Sequence, residues 1–214
     1  ALPYEIIISD WKSSDHTISI AKKFTDKIIV YDKKERQTIG NARNLGAKIA
    51  QGEYLVFIDA DTIIPDPDNF FVEAIKNFEK DERLAAITVP MRVMEEVETF
   101  MDKLFFGLAN LSHRINNNIT HTGSASGEFQ MVRKNYFDKV GGFDDLLVTY
   151  EDNDLFERLA KIGKTRLITN LKIYHSGRRV QKVGHLKLLS VWMVNYIWFK
   201  FFKKAATKEW KPIR

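Results

Sequence analysis

The sequence contains no cysteine. This excludes disulfides and thiolate zinc sites and sets an expectation of a cytosol-like compartment. No apolar run approaches the ~20 residues that cross a bilayer. No Gly-x-Gly-x-x-Gly follows a strand-like segment, which excludes a Rossmann dehydrogenase. Basic residues exceed acidic ones only modestly, 33 to 28, for a net charge of +5. No arginine-rich run interleaves with aromatics, so a nucleic-acid partner is not expected. There is no internal repeat and no Pro/Ser/Gly linker, so the expectation is one globular body. The opening Ala1-Leu2-Pro3-Tyr4-Glu5 runs directly into a strand-like segment. That sets an expectation of no leader and of a cytoplasmic location.

What is present alternates between strand and helix signals. Ile6-Ile7-Ile8 leads to Asp10, and Ile18, Ile20, Ala21 and Phe24 follow at helical spacing. Ile28 to Tyr31 is a second strand, and Asn41 to Gln51 a helix that stops at Gly52. Tyr54 to Ile58 is a continuous apolar run, predicting a strand buried on both faces. Helix 68–80 and strand 85–90 come next, a βαβαβ rhythm that predicts an α/β layer architecture with a largely parallel sheet.

The Tyr54–Ile58 strand delivers Asp59 and Asp61 at its C-terminal end. Parallel α/β sheets bind ligands at that edge. Two carboxylates at i and i+2 there point to a divalent cation holding a phosphate-bearing ligand, because Mg²⁺-like ions take oxygen ligands and keep positions open for phosphates.

Several blocks occur in a particular order. They are Glu5 to Asp10, Ser14-Asp15-His16-Thr17, Ala42-Arg43-Asn44-Leu45-Gly46, Gly52-Glu53-Tyr54 and Asp59-Ala60-Asp61. Gly127, Arg133, Phe137, Gly141-Gly142-Phe143-Asp144, Glu151-Asp152 and His175 with Gly177-Arg178 follow. The ordered set, over roughly residues 4–180, resembles family-two inverting glycosyltransferases. The resemblance implies the GT-A nucleotide-diphospho-sugar transferase fold over 1–182, an α/β fold with a mostly parallel central sheet and flanking helices. It also implies a nucleotide-diphospho-sugar donor and Mn²⁺ or Mg²⁺. Carried over, Asp10 contacts the donor base, and Arg43 reaches base or phosphate oxygens. Asp59 contacts the ribose or the metal, and Glu151 lies on the donor side. Asp61 and His175 bind the metal. Asp152 is the general base that deprotonates an acceptor hydroxyl, on a sugar or a lipid-linked glycan. Direct displacement needs no covalent intermediate, so the lack of a Ser, Cys or His nucleophile constellation fits.

The sequence departs from the family pattern in two places. An opening strand of the type Val-Ile-Pro-Thr-Tyr-Asn, expected about 30 residues before Glu5, has no counterpart: either the sequence starts after it or the domain is a fragment, and only a chain truly lacking it would expose a sheet edge and part of the base pocket. Trp11 and Lys12 stand where a second carboxylate often follows Asp10, and Trp11 either stacks on the base or packs in the core.

Val97, Met101, Leu104, Phe105, Leu108 and Leu111 mark an apolar helix face expected to pack on the core. The polar stretch from Asn116 to Ser126 reads as a surface loop, whose small and polar residues would also suit a mobile acceptor lid. Residues 183–214 read as an amphipathic helix and tail. Leu188–Phe199 is uncharged, carries Trp192, Tyr196 and Trp198, and is flanked by Lys187, Lys200, Lys203 and Lys204. Such a segment suits a membrane interface through 188–204, peripheral at the cytoplasmic face, or a contact with the domain or a second copy.

Two other readings remain at this point. Asp59-Ala60-Asp61-Thr62 also matches the Asp-x-Asp-x-Thr signature of haloacid-dehalogenase-like phosphohydrolases, with Asp59 as nucleophile. The other is a non-catalytic, membrane-associated nucleotide-sugar-binding module.

Overall fold

The computed structural model describes residues 2–32 and 37–207. The chain opens with a parallel pair, β1 (Ile8–Asp10) and β2 (Ile28–Val30), separated by the short α1 (Thr17–Ala21). The first strand is shorter than expected; Ile6 lies before it and is exposed. Helix α2 (Ile39–Ile49) starts where Thr38 accepts a hydrogen bond from Asn41 N, a serviceable N-cap. Gly46 packs it against Ile7, and Glu5 Oε1 accepts from Gln51 N and Gly52 N at its end.

The central sheet has the order β3 (Tyr54–Ile58), β7 (Phe129–Arg133), β5 (Leu84–Thr88), β8 (Lys164–Leu167). Strand β7 runs antiparallel to both β3 and β5, while β8 is parallel to β5, so β3, β5 and β8 all point the same way. A smaller sheet, β4 (Thr62–Ile63), β9 (Ile173–His175) and β6 (Met91–Val93), continues from the C-terminal ends of β3 and β5.

The expectation that β3 is buried on both faces is corrected. Leu55 and Phe57 are buried, but Val56 and Ile58 are partly exposed: β3 is the edge strand of this sheet, and the described residues only partly cover that face. One side of the sheet packs Leu84, Ile87, Phe129 and Met131 against α3 (Pro67–Lys80) and α4 (Phe100–Asn118). The other packs Leu55, Phe57, Ala86 and Val132 against α2, α5 (Lys134–Val140) and α6 (Glu151–Ala160). Helix α3 begins at Pro67 behind an Asp66 cap, the expected residue order for a helix start. Arg133, at the far end of β7 from the ligand edge, is structural: its guanidinium donates to Leu84 O and Phe78 O and pairs with Glu53.

Helix α4 is rotated relative to its apolar pattern. Met101, Leu104, Leu108 and Leu111 are about half exposed, while Asp102, Phe106 and Asn117 are buried. The polar residues turn inward because each is satisfied there. Asp102 accepts from Thr99 N, Thr99 Oγ1 and His185, and Asn117 donates to His113 O and Ser124 O. The mobile lid is likewise corrected. Gly123, Ser124 and Ala125 are buried. Gly123 has φ +80, and a Cβ there would lie 2.2 Å from Phe156 O, so only glycine fits. This strap is clamped, not free.

After the short α7 (Arg178–Val183), α8 (His185–Phe202) lies on the body through Leu188, Asn195 and Phe199. Phe199 packs on Tyr150 at 4.6 Å, and Asn195 Oδ1 accepts from Thr149 Oγ1 and Thr207 N. The helix is not amphipathic as expected, since Leu186, Met193, Val194, Ile197 and Phe201 are all exposed. Residues 208–214 of the expected tail lie outside the described residues. Among the described residues, no helix is long and apolar enough to cross a membrane.

Candidate active site

The motif Ala-Arg-Asn-Leu-Gly in α2 does two jobs. Asn44 clamps the Gly142-Phe143 turn: its Oδ1 accepts from Phe143 N, and its Nδ2 donates to Phe143 O and Asp145. Gly142, at φ +73, leaves room for it. Arg43, one residue earlier, points to the C-terminal edge of β3. Its Nη2 donates to Asp59 Oδ1 at 2.8 Å and Gly127 O at 2.9 Å, and its Nη1 to Asp152 Oδ1 at 2.5 Å. One guanidinium thus joins the end of β3, the start of β7 and the first turn of α6.

Asp152 lies in that first turn with Glu151 and Asp154, where the helix macrodipole favours carboxylates. Tyr150, the N-cap, is held at φ +75, an unusual conformation for a non-glycine residue. It turns the chain so that α6 starts at the site. Burial pushes the Glu151 carboxyl up from its ordinary pKa, and Asp152 adds to this against the pull of Arg43. Asp59 is raised to about 6, by burial first and then by Glu128 and Asp152, despite Arg43. Burial works against the Arg43 charge, yet Asp152, Asp59 and Glu151 outweigh it and hold the guanidinium charged.

Asp61 sits a step further out. Strand β4 begins just after it and places Thr62 opposite His175 of β9. The Asp61 carboxylate accepts hydrogen bonds from Ser176 Oγ and from Arg178 Nη2. Burial raises its pKa, but these donors outweigh that and hold it below the usual range. His175 is buried edge-on against Phe106 at 4.7 Å; Nδ1 accepts from Gly177 N, and Nε2 has no partner. Burial lowers its pKa, against the nearby Asp61.

No cluster of three or more His, Asp or Glu side chains among the described residues could hold a metal by itself. A half-buried Asp61 carboxylate beside a histidine with an orphaned ring nitrogen still fits a Mg²⁺- or Mn²⁺-type site, because such ions are held by one or two protein ligands plus substrate phosphates.

Asp10 does not join this cluster. Both its oxygens are engaged by Ser13, N at 2.7 Å and Oγ at 2.6 Å, as in a side-chain turn at a strand end. Trp11 is about half exposed and not part of the core.

Glu128 and Gln130 are site residues that the motifs do not single out. They alternate with Phe129 and Met131 at the start of β7, and that period-two pattern is the available signal. Arg179 is a further residue that no motif marks. Burial lowers its pKa while Asp59 and Asp61 oppose the change, so it lies in their field.

The first 141 residues match the sequence profile of Glycosyl transferase family 2. The chain belongs to that family. It is 31% identical over 157 residues to a poly-β-1,6-N-acetyl-D-glucosamine synthase of Staphylococcus aureus (strain COL), covering 70% of this chain. A Staphylococcus epidermidis synthase of the same name is 29% identical over 153 residues. The chain spans 38% of the first relative and 36% of the second. Among solved structures, the mannosyltransferase PcManGT from Pyrobaculum calidifontis, in complex with GDP-Man and Mn²⁺, superposes with a TM-score of 0.69 at 18% identity. It covers 93% of this chain and 54% of that one. S. aureus TarS 1–349 with UDP gives 0.58 at 18%, covering 96% and 58%. The family-two chain therefore has the GT-A fold.

Proposed function

We propose that this chain is a metal-dependent, inverting glycosyltransferase domain. It moves a sugar from a nucleotide diphosphate to an acceptor hydroxyl. The observation that carries this reading is the largely buried Arg43 guanidinium, which ties Asp59 of the Asp-x-Asp segment to Asp152 in one ion-pair network. A donor anchored by the first half then meets a base on the second.

Asp152 takes the proton of the acceptor hydroxyl as its oxygen bonds to the anomeric carbon. The bond from that carbon to the diphosphate oxygen breaks, and the electron pair leaves with the nucleotide diphosphate. Attack opposite the leaving group inverts the anomeric centre. Arg178 and Arg179 lie beside Asp61 and Asp59 and supply positive charge where the diphosphate develops its own. A divalent ion held by Asp61 and His175 would supply Lewis-acid stabilisation of that leaving group. Family membership sets aside the phosphohydrolase alternative, and an Asp59 carboxylate paired with Arg43 is a poor free nucleophile.

UDP-N-acetylglucosamine is the donor to try first, because the relatives are N-acetylglucosamine polymer synthases by name and the TarS structure holds UDP. Calorimetry with UDP and GDP, each with and without Mn²⁺, is expected to show metal-dependent binding of one nucleotide. Asp61→Ala should lose it. Binding that ignores both the metal and this substitution would count against the reading. Binding without any turnover would favour the non-catalytic module.

The acceptor is proposed to be a glycan or lipid-linked glycan reached at a membrane surface. Helices α4 and α8 touch through Phe105 and Trp192, and each turns an apolar stripe outward: Met101, Leu104, Leu108 and Leu111 on one, Leu186, Met193, Ile197 and Phe201 on the other. From Arg178 to Thr207 there is no Asp or Glu, only basic charge. Apolar residues ringed by lysine suit an anionic bilayer interface, where each Lys near the surface is worth about 1 kcal/mol. The chain is expected to sediment with phosphatidylglycerol vesicles and far less with phosphatidylcholine. Ile197→Glu with Phe201→Glu should abolish this. Self-association that the double variant removes without any vesicle binding would assign the face to a second copy.

A further inference from the structure

Gln130 is fully buried on β7. Its Nε2 donates to Ser126 O at 3.1 Å and to Asp152 Oδ1 at 2.5 Å. Both partners accept only, so the amide nitrogen must face them and not the amide oxygen. The consequence is that Oε1 is buried with no hydrogen-bond partner. Burying a polar carbonyl unpaired is unfavourable, and an apolar side chain of similar volume would avoid it. Packing alone therefore does not account for glutamine here.

Arg43 Nη1 reaches the same oxygen of Asp152 from the other side. Two donors thus fix Oδ1, and no described residue hydrogen-bonds Oδ2. What lies in front of Oδ2 is Gly127. A Cβ on Gly127 would sit 2.9 Å from Oδ2 and 3.2 Å from Arg43 Nη2. Gly127 is not among the positive-φ glycines, so its backbone does not demand glycine; the close packing of Asp152 and Arg43 against it does.

We infer that Gln130 is a positioning residue: together with Arg43 it holds Oδ1 of Asp152, which leaves Oδ2 as the oxygen that takes the acceptor's proton. This rests on Asp152 being the base. It adds the group that fixes the carboxylate. The angle of attack is set by β7, which Phe57 of β3 flanks in register with Gln130. A carboxylate free to rotate would present either oxygen, and misplacing a reacting group by about 1 Å costs on the order of 10²-fold in rate.

The test follows UDP release from UDP-N-acetylglucosamine with N-acetylglucosamine oligomers as acceptor. Gln130→Met is expected to lower kcat on the order of 10²-fold with the donor KM unchanged. In an Asp152→Asn background the same substitution should cause no further loss, because there is no base left to orient. Gln130→Leu likewise removes the donor at similar volume; it should match Gln130→Met and covers the case in which the methionine variant does not fold. Equal losses from Gln130→Met in the wild-type and Asp152→Asn backgrounds, or a changed donor KM with kcat intact, would overturn the positioning role. An Asp152→Asn variant with full activity would instead defeat the base assignment itself.

Discussion

Asp152→Asn is expected to reduce sugar transfer by about three orders of magnitude while nucleotide binding stays within a few fold. A positioned general base contributes typically 10²–10⁴ in rate. The substitution keeps the shape of the side chain and removes the one atom pair able to take the proton. Donor contacts are assigned to the other end of the Arg43 bridge, at Asp59, with Asp61 beyond it. Arg43 would keep Asp59 Oδ1 and Gly127 O as acceptors, and the asparagine amide oxygen can still accept from Nη1. The loss should therefore fall on kcat. Steady-state transfer assays paired with calorimetry on the same preparations make the comparison. Loss of nucleotide affinity in step with activity would mean that Asp152 belongs to the donor site.

The second large effect is on Arg43→Ala, and it combines activity with stability. The Arg43 side chain is only 11% exposed, and it faces Asp59, Asp152 and the buried Glu151. Breaking a buried ion pair by removing one partner typically costs 3–5 kcal/mol, because the remaining charge is left uncompensated. For a chain of this size that corresponds to a fall of roughly 10 °C in melting temperature. The loss should depend on pH in a definite direction. Asp59 binds its proton more tightly in the folded chain, near 6, than at its ordinary 3.8. The folded state therefore holds more protons than the unfolded one across that interval, and stability from this group is lost as pH rises through about 6. Arg43 is the largest influence holding that value down, so removing it pushes the window upward. Arg43→Ala should be most destabilised near pH 8 and recover toward pH 5. Thermal melts at both pH values decide the matter; equal losses would show that Arg43 acts by packing, not by charge.

Much of this site is legible in the amino-acid sequence itself. The apolar strand ending in Asp59-Ala60-Asp61 announces the ligand edge, and the ordered blocks from Ala42 to Asp152 announce which carboxylates belong together. What they cannot announce is pairing. Arg43 is 109 residues from Asp152 in sequence, and only the packing of α2 against the Phe143 turn brings them into contact. The same limit explains Asp10. A carboxylate at a strand end reads alike whether it faces a ligand or closes its own turn, and here Ser13 takes both oxygens.

Helix α4 departs from its pattern for a different reason. Periodicity identifies the apolar face of a helix but not what that face meets, and satisfied polar side chains at Asp102 and Asn117 turn it outward. Strand β7 is hard to see in the sequence because Glu128 just before it and Gln130 within it break the apolar run at the positions the site uses.

A division of the chain near residue 182 follows composition, but the contacts cross it. Tyr150 holds a left-handed backbone that costs a non-glycine residue of the order of 1 kcal/mol or more, and it does so one step before Glu151 and two before Asp152. Its ring rests on Phe199 and Tyr196 of α8, and Lys200 reaches Glu157, the residue to which the Tyr150 hydroxyl donates. The C-terminal helix is therefore a buttress for the turn that carries Asp152. Truncation before it would let Tyr150 relax to an ordinary conformation and swing the first turn of α6 off its guanidinium clamp. An inactive shortened chain would thus report a lost prop, even with every catalytic side chain still in the sequence.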